Sequence, residues 1–250
     1  MGSGTSTGVP VIGCKCRVCA SSDRRDSRLR ASIAMMFDGY CVVVDTGPDF
    51  RQQVLQSGIN RLNAVLYTHA HADHTNGFDD LRAFSFYGGG EIPCYILPEY
   101  IEEMKLRFGY AFCKTGYRGA TPSVALHPIK GPFKLFGKLV EPLCFPHGSV
   151  NTCGFKIGNF AYVTDFKLFS DDQKKGWAGK VKVMIASGLH FDPHASHSNI
   201  PETIQLFEDL GVEKGILTHL SHKVLHAETE RLLPDHVNLA YDGLVVDVGA

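Results

Sequence analysis

The feature that most constrains this chain is a cluster of ligand-type residues directly after a short apolar run. Residues 65–67 have the β-branched and aromatic side chains typical of a buried strand, and the sequence then reads Thr-His-Ala-His-Ala-Asp-His. Side chains alternate along an extended backbone, so His69 and His71 can point the same way, while Asp73 and His74 follow on a turn. This spacing predicts ligands for two metal ions. A solvated polar loop is the competing interpretation, which such a density of histidine disfavours.

Length and composition indicate a globular chain that has neither a membrane-spanning segment nor a large basic surface for nucleic acids. The 250 residues, 44% hydrophobic and 20% charged, favour one domain over 1–250, or two similar half-domains packed together. The net charge of -1 excludes a global basic field for long nucleic acids but not a small anionic ligand. Because the sequence has neither a membrane-length apolar run nor the pattern of a signal peptide, we expect a cytoplasmic protein, and a homodimer remains open.

Three of the eight cysteines form a second metal-like motif. Cys14, Cys16 and Cys19 fall within a span of six residues, in a predicted Cys-rich loop at about 10–30. This spacing suits a tetrahedral zinc. Such a site needs a fourth ligand from a distant segment, for which His222 is the candidate. Three unliganded surface thiols are the alternative. The other cysteines lie in apolar surroundings and are expected to be reduced.

The rest of the chain alternates strand-like and helix-like segments. Residues 32–37 and 40–45 predict a hairpin around Asp38-Gly39. Asp45, at its end, either caps the following helix or hydrogen-bonds a metal-ligating histidine. Further helices are predicted at 50–57, 78–86, 98–107, 200–210 and 226–233, and further strands at 92–97, within 123–157, and at 159–163, 181–186, 214–218 and 244–248.

Several predicted strands end in residues that can bind a metal. His147, Asp165 and His219 each follow a strand, and His190, His194 and His197 follow another. Each residue alone is more often a turn or cap residue, but their coincidence with the His69–His74 cluster favours ligands. Strands covered by helices, with polar residues at strand ends, predict an α/β layered protein with its site along one sheet edge.

Taken in order, these residues resemble the metallo-β-lactamase superfamily over nearly the whole chain. The resemblance implies a four-layer αβ/βα sandwich and a pair of active-site metals bridged by Asp165. The implied ligands are His69, His71 and His147 for one metal, and Asp73, His74 and His219 for the other.

Within this superfamily, the chain looks most like the phosphoribosyl cyclic phosphate phosphodiesterases of the carbon-phosphorus lyase pathway. The likeness rests on the Gly-Val-Pro segment before the three cysteines, on Thr218-His-Leu-Ser-His222, and on the His197 region. It implies that the cysteines and His222 bind a structural zinc and that His197 assists catalysis. That family also has an apolar first strand before the Gly-rich turn, whereas here Met1 lies almost against this turn.

The predicted reaction is hydrolysis of a small cyclic phosphodiester. Two metals would hold a bridging hydroxide that attacks phosphorus, with Asp73 among the catalytic ligands, and His197 would protonate the leaving alkoxide. Imidazole and carboxylate ligands suit zinc or manganese, and iron is also compatible, whereas the thiolate site favours zinc.

Three other functions compete with this prediction. A tRNA 3′-processing endonuclease shares the same motifs but needs a basic arm, and the predicted loop at 108–121 has only Lys114 and Arg118. A non-catalytic metal-binding accessory protein would retain the fold without turnover. A lactamase or thioester hydrolase is supported only by general kinship of fold.

Overall fold

The computed structural model describes residues 1–88, 90–112 and 121–249. Its contacts divide the chain into two compact units. Unit 1 comprises Met1 and Ser32–Lys130, and unit 2 comprises Gly2–Ala31 and Gly131–Ala250. Most of the predicted loop at 108–121, including Lys114 and Arg118, lies outside the described residues. Among the described helices, none has the length and hydropathy needed to cross a bilayer.

Unit 1 contains a five-stranded mixed sheet in the order β1-β2-β3-β4-β5. β1 and β2 are antiparallel, and the later neighbours are parallel. The strands are β1 (Ile33–Phe37), β2 (Tyr40–Val44), β3 (Ala64–Leu66), β4 (Ile92–Ile96) and β5 (Val124–Pro128). The helices are α1 (Phe50–Ser57), α2 (Ala72–Thr75), α3 (Leu81–Gly88), α4 (Ile101–Arg107) and α5 (Gly109–Phe112).

The local sequence explains how this sheet begins. Asp38 and Gly39 both have positive φ, at 49° and 80°, which is the backbone of a tight two-residue hairpin turn. β2 and β3 are apolar and buried throughout Val42–Val44 and Ala64–Leu66, as expected for parallel strands covered on both faces. The predicted hairpin and the predicted helix at 50–57 are confirmed.

Unit 2 contains a seven-stranded sheet in the order β12-β11-β10-β9-β8-β7-β6. Its strands are β6 (Phe133–Leu135), β7 (Lys138–His147), β8 (Val150–Ile157), β9 (Phe160–Val163), β10 (Val183–Ser187), β11 (Lys214–Thr218) and β12 (Val237–Leu239). β6 to β9 pair antiparallel, and β9 to β12 pair parallel. The helices are α6 (Asp171–Trp177), α7 (Ile200–Leu210) and α8 (His226–Glu230).

Helix α7 shows why the parallel half of this sheet is well packed. It begins with a capping box in which Asn199 and Glu202 each accept the other's backbone N–H. The ring of Phe207, on its buried face, packs over Gly215 of β11, where a Cβ atom would come within 2.3 Å of the ring. Glycine at this position therefore lets the helix approach the sheet.

One sequence prediction fails in this unit, and one helix was not predicted. Residues 244–248, which the structure describes, form no strand, and Val245 is 90% exposed. The edge strand is instead β12, whose three residues are too short for alternation to be recognised. Helix α6 was not predicted because its sequence is polar and short, although Ser170 and Gln173 form a capping box at its start.

Candidate metal centres

In unit 1, four ligand-type side chains follow β3 within six residues. His69 and His74 are fully buried, whereas His71 is exposed. The ring centroid of His69 lies 4.5 Å from that of His71 and 4.3 Å from that of His74. His74 Nε2 is 3.2 Å from Asp73 Oδ2, so these two atoms can share one cation. The turn predicted after the strand is the short helix α2, which carries Asp73 and His74.

A buried carboxyl group at the end of β2 orients two of these histidines. Asp45 accepts hydrogen bonds from the Thr68 N–H at 2.8 Å, from the Thr68 hydroxyl at 2.9 Å, and from His74 Nδ1 at 2.6 Å. Burial raises the pKa of Asp45, while His74 and the Thr68 donors oppose that shift by favouring its charged form. The prediction that Asp45 hydrogen-bonds a ligand-type histidine is confirmed, and the helix-cap alternative is wrong because the cap of α1 is Asp49.

This hydrogen-bond pattern fixes which nitrogen each ring presents. A carboxylate only accepts, so the single hydroxyl proton of Thr68 goes to Asp45, and Thr68 Oγ1 then accepts from His69 Nδ1 at 2.9 Å. Since His69 and His74 both carry their proton on Nδ1, both offer the Nε2 lone pair to a metal.

Backbone contacts bring the Asp45 turn against the ligand loop. The Thr46 N–H donates to the His74 carbonyl, and the Gly77 N–H donates to the Thr46 carbonyl, each at 2.8 Å. A Cβ atom on Gly77 would lie 2.2 Å from the Gly47 carbonyl oxygen. Only glycine permits this approach, which keeps Asp45 beneath His74.

In unit 2, three histidines surround Asp165, which follows β9. Asp165 Oδ1 lies 3.8 Å from His147 Nε2, 3.4 Å from His197 Nδ1 and 3.3 Å from His219 Nε2. The donor atoms of His147, Asp165 and His197 lie within 4.8 Å of one another, which is close enough for one cation. His147 Nδ1 donates to the Ser196 carbonyl at 3.2 Å, so this ring also presents Nε2. The structure thus brings together all four residues predicted in this unit.

His197 lies between two of the predicted ligands. Its ring centroid is 4.7 Å from that of His147 and 5.1 Å from that of His219. Burial, followed by the nearby His219, lowers the pKa of His197 to about 3. His194 Nδ1 accepts the His197 backbone N–H at 3.3 Å and so shapes the turn that carries this ring.

Three of these residues have a left-handed backbone that non-glycine residues rarely adopt. Asp45, Asp165 and His219 have φ values of 64°, 55° and 57°. Asp45 and His219 directly follow a strand, and Asp165 lies two residues after the end of β9. Such a conformation costs about 1 kcal/mol or more and persists only where surrounding contacts hold it. Its occurrence at three ligand-type or ligand-orienting positions indicates strain concentrated at a functional site.

The predicted thiolate site lies entirely within unit 2. His222 Nδ1 is 3.3 Å from Cys14 Sγ and 3.7 Å from both Cys16 Sγ and Cys19 Sγ. A tetrahedral zinc with the usual Zn–S and Zn–N bond lengths places sulfur and nitrogen ligands about 3.6 Å apart. The four donors therefore have the spacing that zinc requires.

Backbone donors prepare this loop for charged sulfur. The Cys19 N–H donates to Cys16 Sγ at 3.4 Å, and this bond lowers the pKa of Cys16 to about 6. Burial raises the pKa of Cys19 to about 11, although the Val11 N–H donates to its sulfur. Zinc binding deprotonates all its cysteine ligands, so such N–H donors stabilise the bound state. Cys14, Cys16 and Cys19 form no disulfide.

The residues present fit both kinds of metal. In both units, buried imidazole rings carry their proton on Nδ1 and lie beside carboxylates, which is the donor chemistry of zinc and manganese sites. Thr68 and Ser196, which set the tautomers of His69 and His147, were not singled out from the sequence. Thr68 directly precedes a ligand, which is a signal, but the role of Ser196 depends on a contact 49 residues away.

The sequence profile of the beta-lactamase superfamily domain matches residues 40–220, which include the strand-end residues of both units. The chain belongs to the metallo-β-lactamase superfamily. The predicted α/β fold of this superfamily is confirmed.

Two solved structures resemble this chain over nearly its whole length. A "new diphosphatase from the PhnP family" is 39% identical with a TM-score of 0.89, covering 97% of this chain and 93% of that one. Zn²⁺-bound PqqB from Methylobacterium extorquens has a TM-score of 0.79 at 19% identity, covering 99% and 98%, and shares the fold.

One curated relative is longer than this chain. An octanoyltransferase of Porphyromonas gingivalis is 40% identical over 249 residues, which are 98% of this chain and 50% of that protein. The chain therefore spans about half the length of this relative.

Proposed function

We propose that this protein hydrolyses a phosphodiester or diphosphate link in a small substrate with two divalent metals. The observation that carries the proposal is the pair of strand-end donor sets, one in each unit, in which hydrogen bonds place the proton of buried histidines on Nδ1. The 39% identity to a PhnP-family diphosphatase over nearly the whole chain supports phosphoryl rather than carbonyl chemistry.

The ligand assignment follows the pattern of the superfamily. His69, His71 and His147 would hold one metal, Asp73, His74 and His219 the other, and Asp165 would bridge them. When bound, such a pair activates water near neutral pH and neutralises charge on phosphoryl oxygens. The Cys14, Cys16, Cys19 and His222 set would hold a structural zinc.

The chain's own residues orient the ligands and move a proton. Asp45 and Thr68 hold two imidazoles in one tautomer, so they present a lone pair without reorganisation. His197 stands beside Asp165 and His219 and donates a proton to the leaving oxygen. It is neutral near pH 7 in the free chain, and an anionic phosphate beside it raises its pKa toward the value that proton donation requires.

Two substrate classes fit this site. The sequence resemblance supports a cyclic phosphodiester of the phosphoribosyl type, and the similarity to a solved PhnP-family diphosphatase supports a diphosphate link. Both present a phosphorus atom with two esterified or bridging oxygens and need protonation of the leaving oxygen.

The test is hydrolysis by the purified full chain with its metals. The panel is bis(p-nitrophenyl) phosphate, a ribose cyclic phosphate, a dinucleoside diphosphate, a pre-tRNA and an octanoyl thioester, each with and without EDTA and added Mn²⁺ or Zn²⁺. We expect one of the first three to be hydrolysed fastest, and EDTA to abolish the activity. Turnover of only the pre-tRNA, only the thioester, or none of the panel would overturn the proposal.

The octanoyltransferase relative favours one second candidate, hydrolysis of an octanoyl ester or thioester. That similarity covers half of the relative's length, so its activity need not belong to the matched half. Octanoyl thioester turnover that exceeds turnover of every phosphorus substrate would favour this candidate.

A further inference from the structure

Arg107, the last residue of α4, contacts the backbone of the ligand loop directly. Its Nη1 donates to the Ala70 carbonyl at 2.6 Å and to the Thr75 hydroxyl at 2.9 Å. Ala70 lies between His69 and His71, and Thr75 follows His74. One guanidinium nitrogen therefore joins the two ends of the segment that carries the predicted ligands.

The Thr75 hydroxyl passes this contact on to His71. Thr75 Oγ1 accepts from Arg107 and donates to the His71 carbonyl at 2.9 Å. The carbonyl groups before and after the His71 Cα atom are therefore both hydrogen-bonded. The Ala70 carbonyl accepts from Arg107, and the His71 carbonyl accepts from Thr75. The backbone at His71 is fixed even though its imidazole is exposed.

Two further contacts hold Arg107 in place. Its Nη2 pairs with Glu103, one helical turn earlier on α4. The next residue, Phe108, is buried and stacks on Phe78 with ring centroids 4.5 Å apart, and Phe78 follows the ligand loop. The end of α4 is therefore attached to this loop by a polar and an aromatic contact.

This arrangement complements the Asp45 and Thr68 network. That network orients the imidazoles of His69 and His74 through their Nδ1 atoms. The Arg107 contacts act instead on the backbone around His71, which precedes α2 with an extended conformation, φ -59° and ψ 152°. A guanidinium suits this task because its planar N–H groups can serve two acceptors and a carboxylate at once.

We propose that Arg107 is a positioning residue that sets the backbone of His71 for metal binding. The inference rests on the proposed role of His71 as a metal ligand. Changes in residues that orient ligands commonly cost about 10- to 100-fold in metal affinity. We expect the lower end of this range, because Arg107 acts through the backbone.

The experiment uses the full chain loaded with metal and the variants Arg107→Ala and Arg107→Lys. The matched control is Lys105→Ala, because Lys105 lies on the same helix and its ion pair with Glu102 is exposed. Metal retained per chain is measured by elemental analysis across a chelator series. The absorption spectrum of the Co²⁺-substituted protein and the kcat and KM for bis(p-nitrophenyl) phosphate are recorded at saturating metal.

We expect Arg107→Ala to lose the metals bound by the predicted histidine and aspartate ligands at a chelator concentration about tenfold lower than the wild type needs. The Co²⁺ spectrum of this variant should also differ from that of the wild type. Arg107→Lys should fall in between, because one ammonium can still reach the Ala70 carbonyl, and Lys105→Ala should match the wild type. If both Arg107 variants retained metal as the wild type does and had its Co²⁺ spectrum, the inference about Arg107 would be wrong, and the proposed function would be unaffected. A wild-type chain that holds only its thiolate zinc would overturn the proposed function, and the inference with it.

If Arg107→Ala does not fold, Arg107→Lys decides the question through the same two metal readouts. A shift in melting temperature with unchanged Co²⁺ spectrum and chelator resistance would assign Arg107 a purely structural role and contradict the proposal.

Discussion

The thiolate loop and the strand-end histidines differ in how their donors are held. His222 Nδ1 lies within 3.7 Å of three sulfur atoms on a loop, and a set of four such donors suits a tetrahedral zinc. His69, His74 and His147 use Nδ1 for hydrogen bonds within the protein, which makes Nε2 the nitrogen with the lone pair. The first arrangement leaves a metal no open position and suits stability. The second, in which protein groups orient each ligand, suits a site that must also bind substrate.

Among the variants that test this difference between the two sites, His71→Ala should have the largest effect on turnover. This ring is exposed, so its loss should leave the fold intact while removing a predicted ligand. We expect phosphodiester turnover to fall at least about 10³-fold, because the metals supply several kcal/mol of transition-state stabilisation. Elemental analysis should still find the thiolate zinc, and a variant that keeps a tenth of wild-type turnover would contradict the ligand assignment.

His197→Ala should have the next largest effect. Loss of a positioned proton donor commonly costs about 10²-fold or more in turnover. Because His197 is assigned to the leaving group rather than to a metal, the metal content per chain should not change. Loss of metal in this variant would make His197 a ligand, and unchanged kcat would remove it from the reaction.

Thr68→Val tests whether tautomer control distinguishes the strand-end site. Valine keeps the shape but removes the hydroxyl that donates to Asp45 and accepts from His69. We expect metal affinity at this site to fall about 10-fold, measured by chelator competition, while Thr68→Ser stays near wild type. Equal affinity in the valine variant would show that Asp45 and His74 suffice.

The smallest effect on activity is expected for Cys16→Ser. Loss of a structural zinc ligand removes folding free energy, so the melting temperature should fall by several degrees. Turnover per folded molecule, measured after removal of aggregates, should stay within about threefold of wild type. A variant that keeps its stability but loses turnover would make the thiolate site part of the reaction, and the contrast between the two sites would fail.

Much of the fold, and the segments that carry the candidate ligands, could be predicted from the sequence because short-range patterns determine them. The Asp38-Gly39 hairpin, the strand before His69 and the helix at 200–210 all follow from local turn chemistry and periodicity. The cysteine spacing identified a loop that the structure does bring to His222. The strand predicted at 244–248 is wrong because a short β-branched run after Asp242-Gly243 does not by itself provide a neighbouring strand to pair with.

The parts that could not be predicted depend on contacts between distant segments. Asp45 and Thr68 are 23 residues apart, and only the parallel pairing of β2 with β3 places one beside the other. Arg107 reaches a loop more than 30 residues earlier in the chain. The left-handed backbone at Asp165 has no sequence signature because tertiary contacts, not glycine, impose it.

That backbone at Asp165 decides which replacement can capture a substrate complex. Asparagine adopts the left-handed conformation as readily as aspartate, whereas a β-branched residue does not. Asp165→Asn would therefore keep the turn after β9 and remove the charge between His147, His197 and His219. Such an inert copy, incubated with a cell extract and then analysed by mass spectrometry, offers a direct route to the natural ligand.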